Sequence, residues 1–203
     1  MLTGKFHDAF VYDRRMMRLT ELLTDFLSDS KEILDVGCGD GKIDAMILEK
    51  MEVNITGVDV LIRDTTYIPV IRYDGIHIPD GGKPDTIMTV DVLHHTDDPA
   101  ALVREMVRCT GKYIVIKDHY KHGFMSYLKL RAMDYVGNAH YKVRLPYNYL
   151  SPTQWDKIFS DNGLKVVKKV ESLGLYKGLF HLLFDRNLHF IVKLEKIKPN
   201  VLS

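Results

Sequence analysis

Cysteine is scarce in this chain. Only Cys38 and Cys109 occur among 203 residues, too far apart in sequence to suggest a disulfide framework or a thiolate metal cluster. That scarcity fits a reducing cytoplasm. No apolar run approaches the roughly 18 residues that a membrane-crossing helix requires, so no span is expected. The opening Met1-Leu-Thr-Gly-Lys-Phe-His-Asp has no apolar signal core. Charge of one sign is also lacking: the formal net charge is +1, which gives no overall electrostatic pull toward nucleic acid. There are no repeats, low-complexity tracts or linker-like stretches. With 46% hydrophobic and 27% charged residues, the composition is that of one compact domain over 1–203, large enough for a real core.

What the chain does have is a glycine turn. Residues 33–41 read Ile-Leu-Asp-Val-Gly-Cys-Gly-Asp-Gly. A short apolar run ends at Asp35, glycines follow at 37, 39 and 41, and Ile43, Met46 and Ile47 then begin a helical pattern. This is a buried strand, a tight turn and a helix start. Such a turn lets backbone N–H groups approach a ligand closely and aims a helix N-terminus at it. An ordinary glycine turn in an α/β protein is the alternative. The dinucleotide fingerprint G-x-G-x-x-G is not met, because the third glycine comes one residue early and position 42 is Lys. A phosphate-binding P-loop is not met either, since Ile43 stands where Ser or Thr is needed.

The rest of the chain alternates. Residues 12–27 predict a helix with Leu19, Leu22, Leu23 and Phe26 on one face. Strands are expected at 32–36, 55–60, 69–73, 86–90 and 113–116, with helices between, one of them starting at Asp98-Pro99. Ser151-Pro152-Thr153-Gln154 predicts an N-cap, a proline at the first helical position and a capping box, and Gly163 ends that helix. Two further strands, 164–170 and 189–197, flank a turn at Asp185-Arg186-Asn187. The order β-α-β-α-β-α-β-α-β followed by α-β-β implies a doubly wound, mostly parallel sheet, whose ligands bind at the carboxyl ends of the strands. Acids stand at five successive strand ends: Asp35, Asp59, Asp74, Asp91 and Asp118.

The segment Asp35-Val-Gly37-Cys-Gly39-Asp-Gly41 resembles motif I of the class I S-adenosylmethionine (SAM) methyltransferases. Asp91-Val-Leu-His94-His95-Thr-Asp97-Asp98-Pro99 resembles the motif IV region of their small-molecule branch, including the quinone-biosynthesis type. The resemblance covers residues 33–117 and departs at the loop 79–84, which lacks the usual aromatic-Asp pair. It implies a Rossmann-like, seven-stranded sheet with an antiparallel C-terminal strand, SAM as cofactor and methyl transfer as activity. Carried over residue by residue, the cofactor would meet Gly37, Cys38, Gly39 and Gly41 in the turn. Asp35 would face its cationic methionine end, Asp59 with Val60 its ribose, and Asp74 with Gly75 its adenine. Asp91 and Val92 would follow at the fourth strand. Cys38 reads as small filler rather than a nucleophile. The Asn-Pro-Pro-Tyr of amine-gripping base methyltransferases and the Pro-Cys pair of cytosine enzymes are both absent.

Residues 118–150 form an insertion that reads as a substrate lid. From Lys117 to Leu150 the chain holds six of its 11 tyrosines, and basic residues outnumber acids by six to two. Tyrosines can wall an apolar site or flank a sulfonium, and the basic excess suggests an anionic small-molecule acceptor. A core helix through Phe124, Leu128 and Met133 with a solvated charged face is the plainer reading. If the acceptor needs a base, His95, His119, Asp118 and His94 are the candidates at the open edge. His119 and His122 with Asp118 lack further ligands at metal-binding spacing, so no metal is expected. The apolar stretch 173–184 fits core packing, an acceptor pocket or an interfacial piece. Two other readings remain open: an RNA methyltransferase, supported by Lys165, Lys168 and Lys169, and a SAM-binding protein without turnover. Oligomeric state, the acceptor and the pathway are not encoded legibly.

Overall fold

A computed structural model of the protein describes residues 2–138, 146–176, 178, 181, 185 and 187–197. His140, Tyr141, Lys142 and Arg144 of the expected lid, Arg186 of the expected turn and most of 177–184 lie outside the described residues.

Seven strands form one sheet in the order β3-β2-β1-β4-β5-β7-β6. β1 (Glu32–Val36), β2 (Asn54–Asp59), β3 (Val70–Arg72), β4 (Thr86–Val90) and β5 (Tyr113–His119) are mutually parallel. β7 (His189–Lys196) inserts antiparallel between β5 and β6 (Leu164–Glu171). The chain runs outward from β1 to β3, then returns to place β4 on the other side of β1. That reversal opens a crevice above the carboxyl ends of β1 and β4, where ligands bind in open α/β sheets. β6 sits at the sheet edge and carries Lys165, Lys168 and Lys169, the kind of charge that discourages edge-to-edge pairing.

The helices cover both faces. α1 (Leu2–Phe26) and α2 (Lys42–Leu48) pack one face, with Leu19, Leu22, Leu23 and Phe26 buried as their spacing predicts. α3 (Pro99–Cys109) and α5 (Pro152–Asp161) pack the other, bringing Leu102, Val103, Met106, Trp155 and Phe159 into the core. The expected caps form. Asp98 accepts from the Ala101 N–H at 3.0 Å, and Ser151 and Gln154 close a reciprocal capping box ahead of α5. Gly163, at φ +63°, ends that helix. No described helix is long and apolar enough to cross a membrane.

The strict alternation fails in two places. Residues 60–69 and 73–85 carry no helix between β2, β3 and β4. Pro79 and Pro84 with Gly75, Gly81 and Gly82 break any helical run in the second loop, and the two loops become walls of the crevice. β5 is also longer than expected. It continues through Lys117, Asp118 and His119, all buried, because each finds a polar partner inside the protein: Lys117 meets Asp91, Asp118 meets His94, and His119 meets Asp118.

Candidate active site at the carboxyl edge of the sheet

The glycine turn has a steric reason. Gly37 has φ +81°, and a Cβ there would lie 2.4 Å from the Val92 side chain. Gly39 donates its N–H to Asp59 Oδ2 at 2.8 Å, and the Leu61 N–H donates to Asp59 Oδ1 at 2.9 Å. One carboxylate at the end of β2 therefore fixes both the turn and its own following loop. Gly41, at φ +77°, starts α2 and packs against Ile68. Cys38 Sγ occupies the space that a Cβ on Gly57 would fill. Burial, then the charges of Asp35 and Asp44, push its thiol pKa up, so it packs rather than reacts.

These elements enclose a cleft of about 710 Å³, within the usual range for small-molecule sites. Its walls are Gly37 and Gly39, the loop after β2 (Asp59, Val60, Leu61, Arg63) and the loop after β3 (Tyr73, Asp74, Gly75, Ile76). The remaining walls are Val90–Val92, His95–Asp98 and the first turn of α3 (Ala101, Leu102). Five carboxylates and one guanidinium face it, so the cleft favours a cationic ligand. Of the residues expected to hold a cofactor, Gly37, Gly39, Asp59, Val60, Asp74, Gly75, Asp91 and Val92 lie on these walls. Asp35, Cys38 and Gly41 do not. Sequence reasoning missed Leu61, Arg63, Tyr73, Ile76 and the α3 residues. The signal that existed was adjacency: Leu61 follows Val60, Tyr73 precedes Asp74, and Thr96–Asp98 directly follow His95.

Asp35 corrects an expectation. It is buried behind the turn, beside Asp44, and burial followed by the Asp44 charge raises its pKa well above the usual carboxylate range. Burial likewise pushes Asp44 up to about 7. Asp35 Oδ1 and both Asp44 carboxyl oxygens lack a hydrogen-bond donor. Both burial and the neighbouring carboxyl therefore disfavour the charge on Asp35, which does not line the cleft.

Asp91 adopts φ +58°, a left-handed backbone uncommon outside glycine. Arg15 Nη2 pairs with its Oδ2 at 2.9 Å, and Lys117 Nζ binds its Oδ1. Burial opposes the charge on Asp91, but Lys117, then His119 and Arg15, hold its pKa well below the ordinary value. Lys117 is fully buried and also meets His189 Nδ1 at 3.3 Å.

Of the four candidate bases, only His95 lines the cleft. Burial, then the charge on His94, lowers its pKa to about 4. The placement of the other three is a correction with a common cause: they satisfy one another. His94 Nδ1 lies 2.7 Å from Asp118 Oδ1, and His94 Nε2 lies 3.3 Å from Asp134 Oδ2. Burial alone would lower the pKa of His94; Asp118 first, then Asp134, more than offset it and raise it to about 10. Burial works against the Asp118 anion, yet His94 and His119 drive its pKa down. His119 is buried at 3.3 Å from Asp118, and burial followed by the Lys117 charge lowers its pKa. His122 turns elsewhere, with its Nε2 2.8 Å from the Asn187 carbonyl oxygen.

The lid inverts its expected polarity. Residues 124–138 form α4 (Phe124–Asn138), but Phe124 and Leu128 are exposed while Asp134 is buried. The Tyr149 hydroxyl bonds Asp134, and its ring stacks on His94 at 5.2 Å. Tyr120 belongs to the core, stacked on Phe190 at 4.3 Å. Arg131 lies over Tyr147 at 4.6 Å. None of the described lid tyrosines lines the cleft. Instead Asn148 ties the segment to the cleft's rim: its N–H donates to the His94 carbonyl at 3.0 Å and its Nδ2 to the Thr96 carbonyl at 2.7 Å.

The family model for the methyltransferase domain matches residues 7–169. The chain belongs to this methyltransferase-domain family. Phosphoethanolamine N-methyltransferase 1 of Arabidopsis thaliana is 27% identical over 130 residues, 53% of this chain. The chain spans only about a quarter of that relative, since the match covers 26% of it. Two solved structures share the fold. Magnesium protoporphyrin IX methyltransferase from Synechocystis PCC 6803 with bound SAH has a TM-score of 0.60 at 15% identity, over 88% of this chain and 82% of its own. The plantazolicin methyltransferase BpumL, in complex with a triazolic desmethylPZN analog and SAH, has a TM-score of 0.63 at 13% identity, over 96% and 90%.

Proposed function

We propose that this methyltransferase carries the methyl group of SAM to a small-molecule acceptor, with SAM held in the cleft at the sheet's switch point. The observation that carries the reading is the cleft's donor set: a glycine turn open to a ligand backed by five carboxylates. A sulfonium with an ammonium group is a cation that such a set attracts. Asp59 would accept the ribose hydroxyls with lone pairs left over from its two backbone hydrogen bonds. Asp74 and Gly75 would meet the adenine, and Val60 and Val92 would pack on the rings. SAM supplies an activated methyl group, and the protein contributes mainly alignment, worth up to about 7–11 kcal/mol in favourable cases. Of the histidines, His95 is the one positioned to touch the acceptor.

We read the chain as one SAM-binding unit, with residues 118–150 on the acceptor side. Two free cysteines agree with a reducing compartment such as the cytoplasm. The basic residues that favour an RNA acceptor lose weight: Lys168 pairs with Asp25 at 2.6 Å and Lys169 with Glu171 at 2.7 Å. Calorimetry with SAM, SAH and NAD tests the cofactor. SAM and SAH should bind with one site per chain and NAD should not; binding of NAD alone removes the reading. Transfer of label from methyl-labelled SAM to a small-molecule fraction, and not to RNA, tests the acceptor class.

A further inference from the structure

Beside the cleft, two buried imidazole nitrogens converge on one carboxylate. His95 Nδ1 is buried with no hydrogen-bond partner, and His94 Nε2 is buried with only the Asp134 carboxylate beside it. Asp134 Oδ2 lies 3.3 Å from His94 Nε2. One ligand atom each from His94, His95 and Asp134 lies within 4.8 Å of the other two. We propose that these three side chains bind a divalent transition-metal ion, bridging the rim of the SAM cleft to the lid helix α4.

The donor set argues for this class of ion. Two imidazoles and one carboxylate suit zinc or another late divalent metal, whereas magnesium and calcium prefer all-oxygen shells. In a tetrahedral site with bonds of about 2.0–2.1 Å, ligand atoms stand roughly 3.3–3.4 Å apart, which matches the observed separation of His94 Nε2 and Asp134 Oδ2. The arrangement around His94 points the same way. Its Nδ1 is held by Asp118 at 2.7 Å, and Asp118 is itself fixed by the backbone N–H groups of Leu93 and His119. A carboxylate that holds one histidine nitrogen and so aims the other is the usual support of a metal-bound histidine. The neighbouring group of His94, Asp118 and His119 is already closed by these internal bonds, so it is not the site. A proton and a metal ion compete for His94 Nε2.

Three protein ligands leave coordination positions open. Because His95 also lines the cleft, the ion would lie next to the acceptor's place, and an acceptor that offers a hydroxyl or carboxylate oxygen suits an open position. This last point rests on the proposed function; binding of the ion does not.

The test uses the untagged full chain, stripped with chelator and titrated with Zn²⁺ by calorimetry and with Co²⁺ by visible absorption. One ion per chain is expected, with Co²⁺ bands of a low-symmetry nitrogen–oxygen site. His95→Ala and Asp134→Asn should each weaken binding by at least about tenfold, and Asp118→Asn by about tenfold. The exposed His122→Ala should leave it unchanged. Circular dichroism checks that each variant folds; if Asp134→Asn does not, His95→Ala decides. Absence of stoichiometric binding, or equal affinity in His95→Ala and wild type, overturns the proposal. SAM affinity measured on the same samples separates the two readings, because either ligand can bind without the other.

Discussion

Replacing Asp59 by alanine removes the acceptor of two backbone hydrogen bonds, from Gly39 at 2.8 Å and Leu61 at 2.9 Å. Asp59 is 8% exposed, and both bonds are partly buried. Hydrogen bonds to an ionised acceptor contribute about 1.5–3 kcal/mol each. Both freed N–H groups are only partly buried, so the lower end applies, giving about 3 kcal/mol in total. For a chain of this size, that corresponds to a fall in Tm of roughly 6–12 °C. SAM affinity should fall further than stability alone explains, by about 10–100-fold, because the same carboxylate is assigned to the ribose and the turn it braces is the ligand's floor. Asp59→Asn is the control. Its single carbonyl oxygen can serve one N–H well but not both, so its stability should lie between the other two. Urea unfolding and calorimetry with SAM read the two effects separately. A SAM affinity within twofold of wild type in a folded Asp59→Ala variant would refute the assignment. Equal stability of all three proteins would refute the bracing argument.

Three other outcomes follow from the geometry. Gly37→Ala places a Cβ 2.4 Å from Val92 at φ +81°, which should cost about 1–3 kcal/mol and reduce SAM binding; chemical denaturation and calorimetry check both. Lys117→Met leaves Asp91 without its buried ammonium partner, which should cost about 3–5 kcal/mol; a loss under 1 kcal/mol in urea unfolding would show that Arg15 alone satisfies the carboxylate. Asp35 and Asp44 have folded pKa values above the ordinary 3.8, Asp44 at about 7. The folded state therefore holds more protons than the unfolded one between about pH 4 and 7, so this pair's stabilising contribution is present below that range and lost as pH rises through it. Asp44→Asn should flatten that slope and gain stability relative to wild type at pH 8, as thermal melts across pH would show.

Much of the scaffold was legible because its causes are local. Leu19, Leu22, Leu23 and Phe26 repeat at the helical period, and that face is buried. Ser151 through Gln154 carries its cap within four residues, and the cap forms. The glycines at 37, 39 and 41 all adopt positive φ. Where the reading failed, the cause lay at long range. The apolar run of β5 ends at Ile116, and the strand continues through a lysine, an aspartate and a histidine. The partners that bury them, Asp91, His94 and His189, are 24 to 72 residues away. Asp134 entered the sequence reading only as one of two acids in a basic segment; its partners are the His94 ring and the Tyr149 hydroxyl.

The sequence by itself determined that a strand, a glycine turn and a row of strand-end acids would meet at one edge of an α/β sheet, since hydrophobic period and turn chemistry act between neighbouring residues. Only the tertiary structure decided which charges face a ligand and which neutralise one another. Asp35 and Asp59 look alike as acids at strand ends. One is buried against a second carboxyl that raises its pKa; the other holds the turn and borders the cleft. The difference arises from desolvation and from where the turn and α2 place Gly39 and Asp44 against the two carboxylates, and neither is written in the spacing of the residues themselves.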